Sequence, residues 1–304
     1  MKNPFFTIIS TNYNGEQFLE ECLYSVQNQT FQDFEHIVIN DCSPNKYYNK
    51  SCKEIIENFN YHNDPKYKFI DLETNGGVGA ARNKGIDIAN GKFLLFLDGD
   101  DNYQLNHLES IFEELKKTED LWDTSIYTLK DGNPFKINSE GKVQILKKPM
   151  IEQAPNHRTV LTEIVYFSLT MPLMIIPKSV LGENRFTPKF QLGEEPDLFF
   201  KIVFDRRSKG LSEFKIFKLN VESVMYRKHE NSITVKDSKT SNNLESKNYI
   251  TIYEKLINSK FTSNLEKFIS HISILRYSAK NNTISKFYKK ALTFTSKILS
   301  NWYF

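Results

Sequence analysis

Short apolar runs alternate with helically spaced apolar residues through residues 6–128. Four runs rich in Ile, Val, Phe and Leu are bounded by polar or glycine-containing turns and predict buried strands. These runs are Phe6–Ser10, Phe34–Asn40, Tyr67–Leu72 and Phe93–Leu97. Apolar residues in the three intervening segments recur at the spacing of a helix face. The β-α-β-α-β-α-β order predicts an α/β fold with a mainly parallel sheet flanked by helices.

Polar residues directly follow three of the predicted strands. They form the groups Thr11–Tyr13, Asp41–Ser43 and Asp98–Asp101. In an open parallel sheet, ligands bind beyond the carboxyl ends of the strands. We therefore expect the three groups to meet at one rim and to carry the function.

The second part of the chain has a weaker pattern. Residues 129–190 contain six prolines and predict irregular structure, with a hairpin around Asp131-Gly132 and a segment facing an acceptor. Further predicted elements are a helix at Asp197–Phe204 and strands at Phe214–Leu219 and Val221–Tyr226. A polar linker at 236–243 precedes a helical pattern that continues to residue 304. We divide the chain into an α/β domain, residues 1–235, and a helical C-terminal extension, residues 236–304.

Composition favours a cytoplasmic globular protein. With 304 residues and 39% hydrophobic residues, the chain can bury one large core and a smaller appendage. The three cysteines form no CxxC pair, which is typical of a reducing compartment. No signal peptide is predicted, and the longest apolar stretch, Ile164–Ile176, is shorter than the about 20 residues of a membrane-spanning helix.

The C-terminal extension carries most of the positive charge. Residues 241–304 contain ten Lys or Arg against three Asp or Glu. Residues 284–304 place apolar side chains on one helical face and lysines on the other. Such a helix can lie on an anionic membrane surface, or it can pack on the α/β domain or a partner subunit; both interpretations remain open. No base-reading module is present, so we expect no nucleic-acid partner.

The strongest chemical signal is the segment Asp98-Gly99-Asp100-Asp101, which contains a DXD pattern. Three carboxylates this close repel one another, and a bound cation would offset the repulsion. Hard oxygen ligands favour Mg²⁺ or Mn²⁺, which complete their coordination with substrate phosphates and water. The alternative is an acidic turn that caps a helix beginning near Leu105.

Five segments with a recognisable pattern occur in order within about a hundred residues: Ile8–Asn14, Ser25–Thr30, Phe34–Ser43, Asn75–Asn83 and Phe96–Asp101. Together they resemble the family 2 glycosyltransferases with a GT-A fold. Gly193–Leu198 looks like the acidic catalytic motif of that family, and Tyr226–Ser232 resembles its late His-containing motif. The resemblance covers roughly residues 4–235. It implies a nucleotide-sugar-binding half, residues 1–128, and a half with the acceptor site and the catalytic base, residues 129–235.

The resemblance also implies roles for individual residues. The donor-binding residues would be Thr11, Tyr13, Asp41, Arg82, Asp98, Gly99 and Arg227. The ligands of Mn²⁺ or Mg²⁺ would be Asp100, Asp98 and His229, and the catalytic base would be Glu195 or Glu194. Each residue alone also has an ordinary structural explanation, such as a packed aromatic ring, a turn or a solvated charge.

Two positions depart from the family pattern. Asn40-Asp41 stands where two acids are usual, and the second acid, which the resemblance assigns to the nucleobase, is retained. Glu194-Glu195 stands where Glu-Asp is commoner, which leaves open which glutamate is the base.

The implied function is metal-dependent, inverting transfer of a sugar from a nucleoside-diphosphate sugar, with UDP as the expected nucleotide. The enzyme would be of the hexosyl- or N-acetylhexosaminyl-transferase class. Its acceptor would be a hydroxyl of a lipid-linked glycan used for a bacterial surface polysaccharide, which would favour a peripheral position at the inner face of the plasma membrane.

Alternatives are a nucleotidyltransferase that forms nucleotide sugars and an inactive scaffold that binds them. The first should carry a Gly-rich loop with Arg or Lys after the first strand, and Thr11–Gln17 does not have this pattern. The sequence leaves the oligomeric state open, including a homo-oligomer.

Overall fold

The computed structural model describes residues 3–44, 49–59, 61, 63–137, 142–145, 171–188, 194–212, 214–230, 250–255, 257–260, 262 and 270. The strands are β1 (Phe6–Asn12), β2 (Phe34–Asn40), β3 (Tyr67–Asp71), β4 (Phe93–Asp98), β5 (Asn102–Tyr103), β6 (Ser125–Leu129), β7 (Gly132–Ile137), β8 (Val143–Ile145), β9 (Met174–Pro177), β10 (Lys215–Leu219) and β11 (Val224–Arg227). The helices are α1 (Glu16–Gln27), α2 (Cys52–Asn58), α3 (Val78–Ile88), α4 (His107–Lys116), α5 (Lys178–Leu181) and α6 (Glu194–Ser208), with 3₁₀ turns at Glu119–Leu121 and Met171–Leu173. Residues 250–255 and 257–258 are also helical.

The main sheet has seven strands in the order β10-β6-β9-β4-β1-β2-β3. β1 pairs in parallel with both β2 and β4, so Thr11 lies opposite Ile39 on one side and Asp98 on the other. β9 runs antiparallel to its two neighbours, β4 and β6. The predicted mainly parallel sheet and its first four strands are confirmed, and the carboxyl ends of β1, β2 and β4 form one rim.

A second sheet of four strands, in the order β5-β11-β7-β8, lies beside that rim. The predicted hairpin around Asp131-Gly132 is wrong, because β6 belongs to the main sheet while β7 pairs with β11 and β8. A Cβ atom at Gly132 would lie 3.0 Å from the Tyr226 ring. The glycine therefore permits close packing between β7 and β11 where the chain changes sheets.

The strands bury alternate residues on the two faces of the main sheet, as expected from the two-residue period of a strand. Ile9 and Phe96 pack in a cluster that includes Leu198 and Phe199 of α6. Ile8 and Leu97 face a second cluster, which includes residues of α1 and α4. Helices thus cover both faces, and the fold is α/β, as predicted.

The helix that carries the two candidate base residues is longer than predicted. The sequence indicates Asp197–Phe204, whereas α6 spans Glu194–Ser208. Both glutamates therefore lie in its first turn, where negative charge interacts favourably with the helix dipole. The predicted strands near 214–219 and 221–226 correspond to β10 and β11.

Part of the C-terminal extension is packed against the α/β core. Ile252 and Tyr253 are each 1% exposed and belong to the cluster that contains Phe200 and Val203 of α6. The amphipathic segment 284–304, the polar linker 236–243 and residues 146–170 lie outside the described residues. Within the described part of the chain, no helix has the length and apolar character needed to cross a membrane.

Candidate functional site

The acidic loop, residues Asp98–Asp101, joins β4 to β5 and lies against the end of β1. The backbone N–H of Gly99 donates a hydrogen bond to Thr11 O at 2.9 Å, and Asp101 N donates to Asp98 O at 2.9 Å. A Cβ atom at position 99 would lie 3.1 Å from Thr11 O. Glycine therefore allows this loop to approach the β1 backbone closely.

The three carboxylates of the acidic loop have different environments. Asp101 is buried and accepts a hydrogen bond from the backbone N–H of Arg227 at 2.8 Å. Burial, followed by the charges of Asp100 and Asp98, raises the pKa of Asp101 well above its usual value. The side chains of Asp98 and Asp100 are 36% and 30% exposed. Asp101 thus supports the loop, while the other two carboxylates remain accessible to a ligand.

Arg82 connects the acidic loop to the start of α6. Its Nη2 lies 3.1 Å from Asp98 Oδ1 and its Nη1 lies 3.4 Å from Glu194 Oε1, and only 4% of its side chain is exposed. Burial acts to lower the pKa of Arg82, but the charges of Asp98, Glu195 and Glu194 raise it above its usual value, so the guanidinium remains charged. Acids that are far apart in the sequence therefore meet around one buried cation.

Glu194 and Glu195 have different surroundings. Glu194 is 7% exposed, and its Oε2 has no hydrogen-bond partner among the described residues. Glu195 is half-buried. Burial and the neighbouring charge of Glu194 raise the pKa of Glu195 to about 8, although Arg82 acts to lower it. Glu195 is thus the more accessible carboxylate, and it has the pKa of a group that can exchange a proton near neutral pH.

Asp41 ties the end of β2 to the start of α3. Its Oδ1 accepts from Gly76 N at 2.9 Å, and its Oδ2 accepts from Gly77 N at 2.8 Å. Gly77 has φ +82° and ψ 163°, a conformation essentially restricted to glycine. The glycines therefore present backbone amides to the carboxylate of Asp41.

The remaining predicted donor-binding residues of β1 lie at the same rim. Thr11 Oγ1 is 3.5 Å from Asp98 Oδ1. Tyr13 follows β1 and is 53% exposed. Its ring is therefore available to a ligand beyond the sheet.

Asn40 stands at a position where the resemblance leads one to expect an acid, and its contacts explain the amide. Asn40 Nδ2 donates to Asp71 Oδ1 at 2.8 Å, while its Oδ1 accepts from Ser43 Oγ at 2.6 Å and from Asn12 Nδ2 at 3.3 Å. An ionised aspartate at position 40 could not donate to Asp71. The amide therefore links two parts of a polar network beneath the rim.

His229 and Arg227 approach the acidic loop from β11 and the residues that follow it. His229 Nε2 is 2.9 Å from Asp100 Oδ2. Arg227 Nη2 is 2.5 Å from Glu21 Oε2, and its Nε donates to Asp100 O at 3.1 Å. The side chain of Arg227 is 3% exposed and lies behind the loop. A direct contact with a phosphate would require it to leave this position.

Comparison with known proteins identifies the family. The sequence profile of "Glycosyl transferase family 2" matches residues 7–174, more than half of the chain. The chain belongs to glycosyl transferase family 2. An uncharacterized glycosyltransferase of Methanocaldococcus jannaschii, MJ1057, is 29% identical over 231 residues, which cover 71% of this chain and 72% of the relative.

Another relative of this glycosyltransferase is the minor teichoic acid biosynthesis protein GgaB of Bacillus subtilis. It is 28% identical over 260 residues, which cover 84% of this chain but only 26% of GgaB. The chain also spans about half, 51%, of the putative teichuronic acid biosynthesis glycosyltransferase TuaG of the same organism. The matched region is thus only part of each of these two proteins.

Solved structures show the same GT-A architecture. Residues 1–349 of S. aureus TarS, in complex with UDP-GlcNAc, match with a TM-score of 0.61 and 21% identity, over 93% of this chain and 74% of that one. The mannosyltransferase PcManGT of Pyrobaculum calidifontis, in complex with GDP-Man and Mn²⁺, matches with a TM-score of 0.57 and 13% identity, over 98% and 81% of the two chains. At these low sequence identities, the structural match shows the fold alone.

The fit of a divalent cation can be judged from the side chains at the acidic loop. No group of three or more His, Cys, Asp or Glu is arranged as a metal site within the described ranges. Asp100 and His229 are adjacent, whereas Asp98 is paired with Arg82. Mg²⁺ and Mn²⁺ commonly use few protein ligands together with substrate phosphates and water. The residues of this glycosyltransferase therefore fit a cation that binds together with a diphosphate.

Four contributors to the site were missed from the sequence. They are Glu16, Phe18, Glu21 and Asp71. Glu16, Phe18 and Glu21 belong to an ordinary amphipathic helix, and no spacing distinguishes them from other residues of α1. Asn12 and Ser43 belong to the polar groups that were expected at the ends of β1 and β2. Their location was therefore predicted, but their contacts were not.

Proposed function

We propose that this chain is an inverting glycosyltransferase that transfers a sugar from a nucleoside-diphosphate sugar, UDP-linked, to a hydroxyl group of a glycan. The observation that carries the proposal is the pair of contacts made by Arg82. Its guanidinium contacts Asp98 of the acidic loop and Glu194 at the start of α6. The UDP-GlcNAc complex of TarS and the teichoic acid function in the name of GgaB support the donor and acceptor classes.

In this proposal the donor binds along the rim of the main sheet. The residues that contact it are Thr11, Tyr13, Asp41, Arg82, Asp98 and Gly99. Tyr13 offers an exposed ring for stacking. The Asp41 carboxylate is held by Gly76 N and Gly77 N, and the remaining lone pairs of its oxygens would accept from a base N–H. Arg82 provides a fixed positive charge close to the accessible acids, where it can interact with the diphosphate.

Glu195 serves as the base. The acceptor hydroxyl attacks the anomeric carbon as its proton passes to the Glu195 carboxylate, while the bond to the diphosphate breaks and its electron pair leaves with the nucleoside diphosphate. Attack from the face opposite the leaving group inverts the configuration at the anomeric carbon. Glu194 is held by Arg82 and helps to set the proton affinity of Glu195.

Asp100, His229 and Asp98 are the proposed protein ligands of Mn²⁺ or Mg²⁺. A cation bound there supplies charge neutralisation at the departing diphosphate. The Mn²⁺ in the complex of PcManGT supports this part of the proposal. In the absence of a cation, the polypeptide itself orients Asp100 through the contact of His229 Nε2 with its carboxylate and through the hydrogen bond from Arg227 Nε to its carbonyl oxygen.

The proposed acceptor is a lipid-linked glycan for a surface polysaccharide, and the proposed location is the cytoplasm, at the inner face of the plasma membrane. The basic amphipathic pattern of residues 284–304 supports this location. Sedimentation with vesicles that contain anionic lipid tests it, and a chain with the lysines of 284–304 replaced by glutamine should remain in the supernatant.

Paired substitutions test the assignment of the base. We expect Glu195→Gln to lower the rate of sugar transfer by at least about a hundredfold, the range for loss of a general base. Glu194→Gln should retain most of the transfer. UDP-GlcNAc is the first donor to assay, followed by UDP-glucose, UDP-galactose and GDP-mannose.

Donor binding separates a loss of catalysis from a loss of the site. Both variants should still be stabilised against thermal unfolding by a productive donor in the presence of Mn²⁺, because a ligand that binds only the folded state raises the unfolding temperature. Transfer that survives the double replacement of Glu194 and Glu195 would contradict the proposed base. Donor binding without transfer by the unaltered chain would instead indicate an inactive binding protein.

A further inference from the structure

Phe18, in α1, contacts the two basic side chains that reach the acidic loop. The centroid of its ring lies 4.6 Å from the centroid of the His229 imidazole, with the two planes inclined by 48°. The guanidinium carbon of Arg227 lies 4.6 Å from the same ring centroid. One half-buried aromatic side chain therefore contacts both groups.

Arg227 is held between two aromatic rings. Its guanidinium carbon lies 4.7 Å from the ring centroid of Phe135, in addition to its contact with Phe18. A cation in contact with a ring face is attracted more strongly when water is excluded, and only 3% of the Arg227 side chain is exposed. Glu21, one helical turn after Phe18, accepts a hydrogen bond from the same guanidinium. α1 thus provides both a ring and a carboxylate to Arg227.

Arg227 in turn holds the acidic loop at two points. Its Nε donates to the carbonyl oxygen of Asp100, and its backbone N–H donates to the carboxylate of Asp101. The His229 imidazole contacts the carboxylate of Asp100. The position of Asp100 therefore depends on two side chains that both lie against Phe18.

The contacts of Phe18 distinguish it from a residue of the hydrophobic core. Among the described residues, the three hydrophobic clusters do not include Phe18, whereas they include its helix neighbours Leu19, Cys22 and Leu23. Its ring is directed to an imidazole and a guanidinium. A leucine of similar volume would retain apolar contact but would lose the negative ring face.

We propose that Phe18 is a positioning residue, which holds Arg227 and His229 against the acidic loop and thereby orients the Asp100 carboxylate toward the cation that accompanies the donor. The part that concerns the cation rests on the proposed function. The part that concerns Arg227 does not, because it follows from contacts within the chain.

The first test follows the Arg227 side chain without any ligand. In ¹⁵N NMR spectra of the full chain, the Nε–H signal of Arg227, identified by its loss in Arg227→Lys, should exchange slowly with water because it is buried and hydrogen-bonded. Phe18→Leu should speed this exchange about tenfold, a change within the range of a lost cation–π contact. Phe18→Tyr should restore slow exchange. The matched control is Phe112→Leu, since Phe112 is a partly buried phenylalanine of α4 that contacts Phe5 and Phe31.

The second test measures Mn²⁺ affinity in the absence of donor, by the electron paramagnetic resonance signal of free Mn²⁺. Phe18→Leu should weaken binding about tenfold, and it should lower kcat for UDP-sugar turnover more than it raises KM for the donor. Phe18→Tyr should recover both values, and Phe112→Leu should leave both unchanged.

The outcomes separate the two proposals. Unchanged exchange of the Arg227 Nε–H in a folded Phe18→Leu variant overturns the positioning role. Faster exchange with unchanged Mn²⁺ affinity and kcat overturns the link between Phe18 and Asp100. If the unaltered chain neither binds Mn²⁺ nor turns over any donor, the proposed function fails, and the exchange experiment still decides the role of Phe18 toward Arg227.

Discussion

At the start of α6, two adjacent glutamates carry the same side chain in different surroundings. Glu194 contacts Arg82, whereas Glu195 is affected by burial and by the charge of Glu194, which raise its pKa to about 8. A carboxyl group with a raised pKa is protonated over a wider range of pH. If Glu195 is the base, this environment sets the pH range in which the enzyme works.

We expect kcat/KM for sugar transfer to rise with pH and to level off above about pH 8. The base must be ionised to accept the proton, so activity is lost as the pH falls through the pKa of Glu195. At pH 6 the rate should be about one-hundredth of its plateau. Initial rates measured from pH 5.5 to 9.5 at saturating Mn²⁺ test this.

Glu194→Gln provides the matched control for the pH profile. Removing the charge of Glu194 removes a contribution that raises the pKa of Glu195 and leaves that of Arg82, which lowers it. The midpoint should therefore move to lower pH. A midpoint that stays in place or moves upward would contradict the assignment.

Asn40 allows a test of the polar network beneath the rim. We expect Asn40→Asp to lower the free energy of unfolding by about 1–2 kcal/mol at pH 7, because a hydrogen-bonded pair becomes a pair of like charges beside partly exposed Asp71. Urea denaturation measures the change. The double variant Asn40→Asp/Asp71→Asn should recover most of the loss, since the amide then donates in the opposite direction. Equal stability of the single and double variants would count against this explanation.

Sequence inspection located the acids of the site but not their connections. Asp41 and Asp98–Asp101 were predictable because they directly follow buried apolar strands, and the strand ends of a parallel sheet share one edge. The contact between Arg82 and Glu194 joins residues 112 positions apart, and the contacts of Phe18 depend on the crossing of α1 and β11. Such pairings are set by tertiary packing, which no local spacing encodes.

At the scale of elements, three of the four strands predicted in the first half of the chain, β1, β2 and β4, are almost entirely buried. The fourth, β3, is recognisable from its sequence although none of its residues is fully buried. β2 is buried at all seven positions, and the apolar, β-branched run Ile37–Ile39 at its centre marks it as a strand. By contrast, β8 is exposed at all three residues and β5 has only two, so neither has a recognisable pattern. β9 begins inside the apolar stretch 164–176 and ends at Pro177, and Pro172 lies just before it, so the prolines obscure its limits. Short length and exposure thus concealed β5 and β8, whereas β9 was concealed by neighbouring prolines although all four of its residues are buried.

A substitution at Gly77 tests whether the backbone conformation at the start of α3 affects stability and donor binding. Gly77→Ala should cost about 1–3 kcal/mol of stability, because alanine disfavours φ +82° with ψ 163°. It should also weaken donor binding, since the Gly77 amide holds the Asp41 carboxylate. Thermal unfolding with and without UDP-GlcNAc and Mn²⁺ measures both effects.

Gly210 is the control for Gly77. It has φ +68°, and a Cβ atom there would meet no atom within 4 Å. Gly210→Ala should also lower stability but should leave the donor-induced rise in unfolding temperature unchanged. An equal loss of that rise in both variants would show that general destabilisation, and not the Asp41 contact, controls donor affinity.

At the scale of the whole molecule, the described helix near residue 250 forms part of the α/β core. Ile252 lies against α6, and Lys255 Nζ is 3.0 Å from Asp197 Oδ1, three residues after Glu194 on that helix. The sequence indicated a helical extension from residue 236, after a polar linker. Ile252 and Tyr253 of that extension belong to the same hydrophobic cluster as α6.

Ile252→Ala tests the contribution of this helix to the core. We expect it to lower the free energy of unfolding by about 2–5 kcal/mol, because the side chain is 1% exposed and its loss leaves a cavity. Glu254→Ala, an exposed position of the same helix, should change stability by less than about 0.5 kcal/mol. Guanidinium denaturation compares the two variants. A small effect at both positions would mean that the helix is not part of the cooperative unit.

β9 pairs with β4 but comes much later in the chain, which has a consequence for synthesis on the ribosome. β4 is translated with its partner β1 already made, but its other edge is covered only by residues 174–177, about 80 residues later. At about 5–20 residues per second, the nascent chain carries the bare edge of its most apolar strand for about 4–16 s. An uncovered strand edge of this kind can pair with other chains. We therefore expect chaperone binding to the nascent chain to matter during that interval.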